Sequence, residues 1–270
     1  MKKKNENLKE IVKEKYGKIA EQNSAEKLSC SSTSCCGTEV DYTVFSENYK
    51  DMEGYNPDAD LNLGCGIPTN FAQIKKGDHV LDLGSGAGND CFVARAIVGE
   101  SGKVTGLDMT EQMIKKAREN CKKLNFKNVE FVFGDIEKMP FRDSEFDVVI
   151  SNCVLNLVPD KSRAFSEIFR VLKPAGHFCV SDVVIKGKLP EGLKNDAEMY
   201  AGCVAGASEM DKYLEIIKKT GFNEIVIHKE KEVSMPEDLL AKYLSDNEIS
   251  HYREKEKGIF SITVSAVRSS

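Results

Sequence analysis

No stretch of this 270-residue chain approaches the ~18 consecutive apolar residues of a membrane span. The basic start Lys2-Lys3-Lys4 reads as a solvated end, and Asn5-Glu6-Asn7-Leu8-Lys9-Glu10 follows it, so the apolar stretch of a secretory signal is missing. The expected compartment is therefore the cytoplasm, where thiols stay reduced. Basic residues form no stripe and the formal net charge is −5, which argues against a nucleic-acid partner. Histidine is scarce: His79, His177, His228 and His251 all read as structural. The spacing Cys-x-x-Cys never occurs, which excludes a zinc ribbon even though the chain carries nine cysteines. There is no internal repeat and no long linker.

What is present is an ordinary globular composition, 41% hydrophobic and 30% charged. Apolar residues at helical spacing over residues 8–22 predict an amphipathic opening helix. A small, polar loop with Cys30, Cys35 and Cys36 comes next, then an irregular segment ending in Leu63-Gly64-Cys65-Gly66-Ile67-Pro68. From there strands and helices alternate. Strands are expected at 79–83, 103–107 (closed by Asp108), 129–133, 146–151 and 178–184, and helices at 89–98, 110–124 and 161–172. That alternation predicts a doubly wound, mostly parallel α/β sheet of the Rossmann-like kind, with helices on both faces. Helix at 211–220 and 236–244, and strands at 222–228 and 259–267, complete the pattern. The two late strands are expected to close a seven-stranded sheet with an antiparallel edge strand. The chain divides into an N-terminal extension (1–70), a cofactor-binding segment (71–185) and a sheet-completing segment (186–270).

Asp82-Leu83-Gly84-Ser85-Gly86-Ala87-Gly88 sits at the first strand-to-helix turn. Glycines there let the backbone turn sharply beside a ligand, and the helix start offers unpaired N–H donors. Asp108 ends the second strand, where a carboxylate accepts ribose hydroxyls. Gly134-Asp135-Ile136 puts another carboxylate at the end of the third. The loop is Gly-x-Gly-x-Gly behind an aspartate, which suits a cation better than a pyrophosphate; S-adenosyl-L-methionine, with an ammonium, a sulfonium and no phosphate, fits. A nicotinamide dehydrogenase is the fold-compatible rival.

These residues, together with Val171-Leu172-Lys173-Pro174-Ala175-Gly176, resemble the class I S-adenosylmethionine methyltransferases. The resemblance implies that Asp82, Gly84, Ser85, Gly86 and Gly88 cradle the methionine part of the cofactor. Asp108 and Met109 would take the ribose, Asp135 and Ile136 would flank the adenine, and Asn152 would join the cofactor site.

Among the cysteines, Cys91, Cys121 and Cys179 fall on apolar helix or strand positions and read as core filler. Cys65 lies between two glycines, Cys153 follows the fourth strand in Ser151-Asn152-Cys153, and Cys203 lies among small residues in Gly202-Cys203-Val204-Ala205-Gly206. Their common setting is loops and edges around one predicted pocket.

A closer similarity covers most of the chain. Lys15-Tyr16-Gly17, Cys35-Cys36-Gly37, Gly64-Cys65-Gly66-Ile67-Pro68, Ser151-Asn152-Cys153-Val154-Leu155-Asn156-Leu157 and Ser181-Asp182-Val183-Val184 resemble the microbial arsenite methyltransferases. That resemblance implies trivalent arsenic bound by Cys65, Cys153 and Cys203, with a thiolate of the Cys35-Cys36 pair as redox partner to Cys65. It implies arsenite and methylarsenite as substrates, arsenic detoxification as the role, and a thiol reductant of the thioredoxin or glutathione type; a monomer is the expected form. Two other readings share the fold: a methyltransferase for a small carbon, oxygen or nitrogen acceptor, and a non-catalytic thiol-based metalloid-binding protein.

Overall fold

In the computed structural model, residues 2–21, 47–187, 207–233, 241, 245, 249 and 257–269 are described. One mixed sheet is made of β1 (His79–Leu83), β2 (Lys103–Asp108), β3 (Val129–Phe133), β4 (Phe146–Asn152), β5 (Leu172–Lys186), β6 (Ser208–Glu209), β7 (Phe222–Glu232) and β8 (Gly258–Arg268). The helices are α1 (Lys2–Glu21), α2 (Asn89–Val98), α3 (Glu111–Lys123), α4 (Lys161–Val171) and α5 (Met210–Thr220). Strand order is β3-β2-β1-β4-β5-β8-β7, with the two-residue β6 beside β5. Strands β1 to β5 pair in parallel, and β8 runs antiparallel to both of its neighbours.

The centre of the sheet is apolar because both faces are covered. Val80, Leu81 and Leu83 of β1 are fully buried, as are Val148, Val149 and Ile150 of β4. On one face α4 and α5 pack Phe165, Ile168, Tyr213 and Ile217 against Phe178 and Ile262. Phe165 and Tyr213 meet edge-on at 5.5 Å between ring centroids. On the other face Phe92, Ala94 and Ala117 of α2 and α3 cover Val104, Ile150 and Cys179. Helix α4 starts where Asp160 accepts the Arg163 N–H at 3.0 Å, a cap worth about 1 kcal/mol.

Three expectations change. The sheet has eight strands and not seven, because the two-residue β6 adds a short pairing beside β5. The antiparallel strand is not the edge: β8 is inserted between β5 and β7, and β7 is the edge. Burial explains the order. Residues 258–264 of β8 are all buried, whereas β7 ends in Lys229-Glu230-Lys231-Glu232, charges that blunt an exposed edge. The fifth strand is also longer than its apolar run, because Leu172 pairs with Phe146 ahead of a register shift. The helix expected at 236–244 falls outside the described residues, apart from Ala241. Among the described residues no helix is long and apolar enough to cross a membrane.

Candidate active site

The carboxyl ends of β1, β2, β3 and β4 open into one pocket, where doubly wound sheets bind their ligands. Its floor is the glycine loop after β1. Gly84 has φ +67°, and a Cβ there would lie 2.4 Å from Val154. Gly86 has φ +52° and nothing within 4 Å of its missing Cβ, so this stretch of backbone faces open space. The N–H groups of Gly84 and Ser85 donate to Leu107 O at 2.7 and 3.0 Å. Asp108 then ties the loop to α3, its two carboxylate oxygens accepting from Gly86 N at 3.0 Å and Thr110 N at 2.8 Å. Ser85 and Asn89 both line the pocket, and among the described residues the buried Ser85 Oγ and Asn89 Oδ1 have no hydrogen-bond partner. Orphaned polar atoms of this kind are costly unless a ligand takes them up.

Three carboxylates surround this floor. Burial pushes Asp82 well above the usual carboxylate range, and the charges of Asp90 and Asp108 push it further. The thiol of Cys91 works the other way, donating to Asp82 Oδ2 at 3.2 Å. Burial also raises Asp90, which accepts from Tyr49 Oη at 2.8 Å and from Asn152 Nδ2 at 3.2 Å. Asp108 is raised by burial against the pull of its backbone donors. None of the three is ion-paired with a lysine or arginine among the described residues. Such a pocket favours a cation.

The wall is built by elements that sequence patterning did not assign to it. Helix α1 contributes Lys9, Val12 and Tyr16. Lys9 Nζ lies 2.6 Å from Asp135 Oδ2 and also contacts Glu137. Burial alone would lower the Lys9 ammonium, but hydrogen bonds to Asp135 and Glu137 leave it above its ordinary value. Met109, Ile136, Leu157 and Val158 supply apolar lining.

Cys65 and Cys153 are buried, 1% and 3% exposed. Cys153 lines the pocket in the left-handed conformation, φ +59°, held by its N–H on Ser181 O at 2.7 Å. Cys65 stands just behind the lining. Its N–H donates to Asn152 Oδ1 at 3.0 Å, and its carbonyl accepts from Ser261 Oγ of β8. Both neighbouring glycines permit this closeness: a Cβ at Gly64 would lie 2.5 Å from Asn152 Nδ2, and one at Gly66 2.5 Å from Ser181 Oγ. The Tyr213 phenol is raised well above its ordinary value by burial and by Asp182, to which it donates at 3.0 Å, and Cys65 and Cys153 add to the effect.

Cys203, Cys35 and Cys36 lie outside the described residues, as do Cys30 and His251. Among the described residues no three His, Cys, Asp or Glu side chains gather in metal-binding geometry. Cys121 and Cys179 are core thiols; burial pushes Cys179 up to about 12. Cys91 is buried as expected, yet its thiol also serves Asp82, which apolar patterning did not indicate. His79 bonds Thr105 Oγ1 at 3.1 Å and His228 bonds Ser265 Oγ at 2.7 Å, and among the described residues no histidine lines the pocket. Sequence reading missed Asn89, Asp90, Tyr49, Lys9 and Tyr16. Only the first two carried a local clue, as polar residues opening the helix after a glycine loop.

A family model described as a methyltransferase domain matches residues 74–221. The chain is 40% identical over 259 residues to an arsenite methyltransferase of Halobacterium salinarum, covering 89% of this chain and 62% of that protein. It is 32% identical to an arsenite methyltransferase of Aquipseudomonas alcaligenes, over 88% of this chain and 68% of the relative. It thus spans less than two thirds of the first relative's length. Among solved structures, the arsenic(III) S-adenosylmethionine methyltransferase from Chlamydomonas reinhardtii superposes with a TM-score of 0.61 at 33% identity, covering 77% of this chain and 67% of that one.

Proposed function

Since the chain belongs to the arsenite methyltransferases, within the methyltransferase-domain family, we propose that it transfers the methyl group of S-adenosyl-L-methionine to trivalent arsenic held by its own cysteines. The observation that carries this reading is the pair Cys65 and Cys153, buried cysteines from distant parts of the chain: Cys153 lines the glycine-loop pocket, and the Cys65 N–H is bonded to Asn152, which lines it too. Arsenic detoxification is the role this chemistry serves.

The residues present fit the cofactor. Gly84, Gly86 and Gly88, with Ser85 Oγ and Asn89 Oδ1, offer backbone and orphaned side-chain groups to its methionine part. Asp82 and Asp90 would supply negative charge for its cationic end, Asp108 and Met109 would take the ribose, and Asp135 and Ile136 would flank the adenine; all six line the pocket. When bound, S-adenosylmethionine supplies a methyl group already activated on a sulfonium.

The protein's task is then to hold and align. Thiolates suit a soft centre such as As(III), and three of them leave its lone pair on the open face. Cys65 and Cys153, joined by Cys203, are the proposed ligands. Burial keeps water away from that face, and alignment does the work a general base would otherwise do. Methylation takes arsenic formally to the pentavalent state. Two thiols, Cys65 and one of Cys35 or Cys36, return the two electrons by forming a disulfide, and a thioredoxin- or glutathione-type reductant reopens it. We place the enzyme in the cytoplasm as a monomer, with residues 1–70 and 186–270 as extensions that complete the arsenic site around the cofactor-binding segment 71–185.

The test is transfer of labelled methyl from S-adenosylmethionine to arsenite with excess thiol, native protein against Cys153→Ser. Labelled methylarsenicals from the native protein alone are expected. Turnover that survives the substitution, or that does not need arsenite, would redirect the assignment to a small carbon, oxygen or nitrogen acceptor.

A further inference from the structure

The side chain of Asn152, at the last position of β4, is committed on every side. Its Oδ1 accepts the Cys65 N–H at 3.0 Å. Its Nδ2 reaches Gly66 O at 2.8 Å, Tyr49 Oη at 2.8 Å and Asp90 Oδ2 at 3.2 Å. The amide orientation is fixed by these neighbours, because a backbone N–H faces the oxygen and a backbone carbonyl faces the nitrogen. An amide has two N–H bonds, so one serves Gly66 and the other is shared between Tyr49 and Asp90. The Tyr49 hydroxyl lies 2.8 Å from Asp90 Oδ1 and 3.0 Å from Gly66 O, so its one hydrogen is shared between two acceptors of the same network.

This network joins two places with separate tasks. On one side stands Asp90, half-buried and facing the cofactor pocket. On the other stands the Gly64-Cys65-Gly66 backbone, pressed so close to the amide that a Cβ at Gly64 would lie 2.5 Å from Nδ2. Ser261 Oγ of β8 holds the Cys65 carbonyl. The backbone of Cys65 is thus pinned at its N–H by β4 and at its carbonyl by β8.

We propose that Asn152 is a positioning residue for Cys65 and not a cofactor ligand: it sets the Cys65 loop at a fixed distance from the cofactor-facing carboxylate of Asp90. The proposal rests on the arsenite-methyltransferase reading above and adds a residue through which the arsenic-binding loop and the cofactor site are held in register. A displacement of about 1 Å between reacting groups costs on the order of 100-fold in rate. A residue whose hydrogen bonds fix that distance therefore acts on turnover, and only slightly on cofactor affinity.

Three measurements on reduced protein test this in the native chain and in Asn152→Ala. They are S-adenosylhomocysteine affinity by calorimetry, kcat and KM for methyl transfer to arsenite, and the ultraviolet absorption of the arsenic–thiolate complex on titration with arsenite alone. In the variant, cofactor affinity and the KM for S-adenosylmethionine stay within about threefold, kcat falls by about tenfold or more, and the thiolate band weakens. Where Asn152→Ala does not fold, Tyr49→Phe serves: it removes one hydroxyl from the same network and gives a smaller fall in kcat in the same direction. A loss of S-adenosylhomocysteine affinity of tenfold or more with the thiolate band intact makes Asn152 a cofactor ligand and overturns the proposal. Unchanged kcat overturns it as well. If the native protein gives neither an arsenic–thiolate band nor arsenite-dependent turnover, the substrate reading itself fails and this proposal falls with it.

Discussion

Lys9 Nζ lies 2.6 Å from Asp135 Oδ2, a contact that spans 126 residues of chain and ties α1 to the end of β3. It lays the opening helix along the pocket wall, where Val12 and Tyr16 add apolar cover. Replacing Lys9 by Met removes the ion pair and keeps much of the stem. A partly exposed pair contributes about 1 kcal/mol or less, so S-adenosylhomocysteine is expected to leave up to about fivefold faster. Stopped-flow dissociation checks this, and the difference between native and variant is expected to shrink at high salt.

Gly84 and Gly86 separate stability from binding. Both have positive φ, so alanine costs about 1–2 kcal/mol at either position through backbone strain alone. At Gly84 the new methyl also meets Val154 at 2.4 Å, so Gly84→Ala is expected to give the larger fall in Tm. At Gly86 the methyl points into open space within the pocket lining. Gly86→Ala is therefore expected to lose less stability and to weaken S-adenosylhomocysteine binding, measured by thermal melts and calorimetry on the same samples.

Asp182 gives the apoprotein a pH dependence with a definite sign. It is 1% exposed, and burial pushes its carboxyl up to about 6, against the pull of Lys161 and Tyr213. The folded state therefore holds this proton more tightly than the unfolded chain does. Its contribution to stability is complete below the unfolded value near 4 and is lost as pH rises through about 6. The full loss is about 3 kcal/mol, from roughly two pH units at about 1.4 kcal/mol each. Asp182→Asn has no such proton, so its stability relative to native is expected to improve between pH 4 and 7 and then level off. Urea melts across that range give the curve, and a flat difference would refute the assignment.

The cysteines divide by what they touch. Cys121 sits in the α3 core, its thiol 3.7 Å from Phe126 O and from Val129 O, and Cys121→Ser is expected to lower Tm while arsenite methylation persists. Cys91→Ala removes the S–H donor from Asp82, and a few-fold loss of cofactor affinity is expected from one weak hydrogen bond. Cys153→Ser is expected to cut arsenite-dependent turnover by about 100-fold or more and leave S-adenosylhomocysteine binding near native. Running the three variants side by side separates packing, cofactor and arsenic roles.

Much of this was written locally. Strands buried on both faces need short, nearly continuous apolar runs, so β1 and β4 stood out, and the amphipathic stretches between them could only be covering helices. The glycine loop and the carboxylates after β1, β2 and β3 were equally legible, because a tight turn and a strand end are short-range events. The resemblance carried by Gly64-Cys65-Gly66 and Ser151-Asn152-Cys153 pointed to arsenic before any geometry was known.

What tertiary structure decided is everything that depends on which distant segments meet. The place of β8 between β5 and β7 followed from competition for buried positions, and it brought Ser261 to the Cys65 carbonyl. The approach of the Cys65 loop to Asn152, across 87 residues, needed two glycines and a β4 end in register with Ser181. The position of α1 on the pocket depended on a lysine and a carboxylate 126 residues apart. Periodicity and spacing describe how a segment folds onto itself. Pairing between segments is set by the global balance of burial, hydrogen bonding and charge, and it was the folded chain that brought Cys65, Asn152 and Asp90 together.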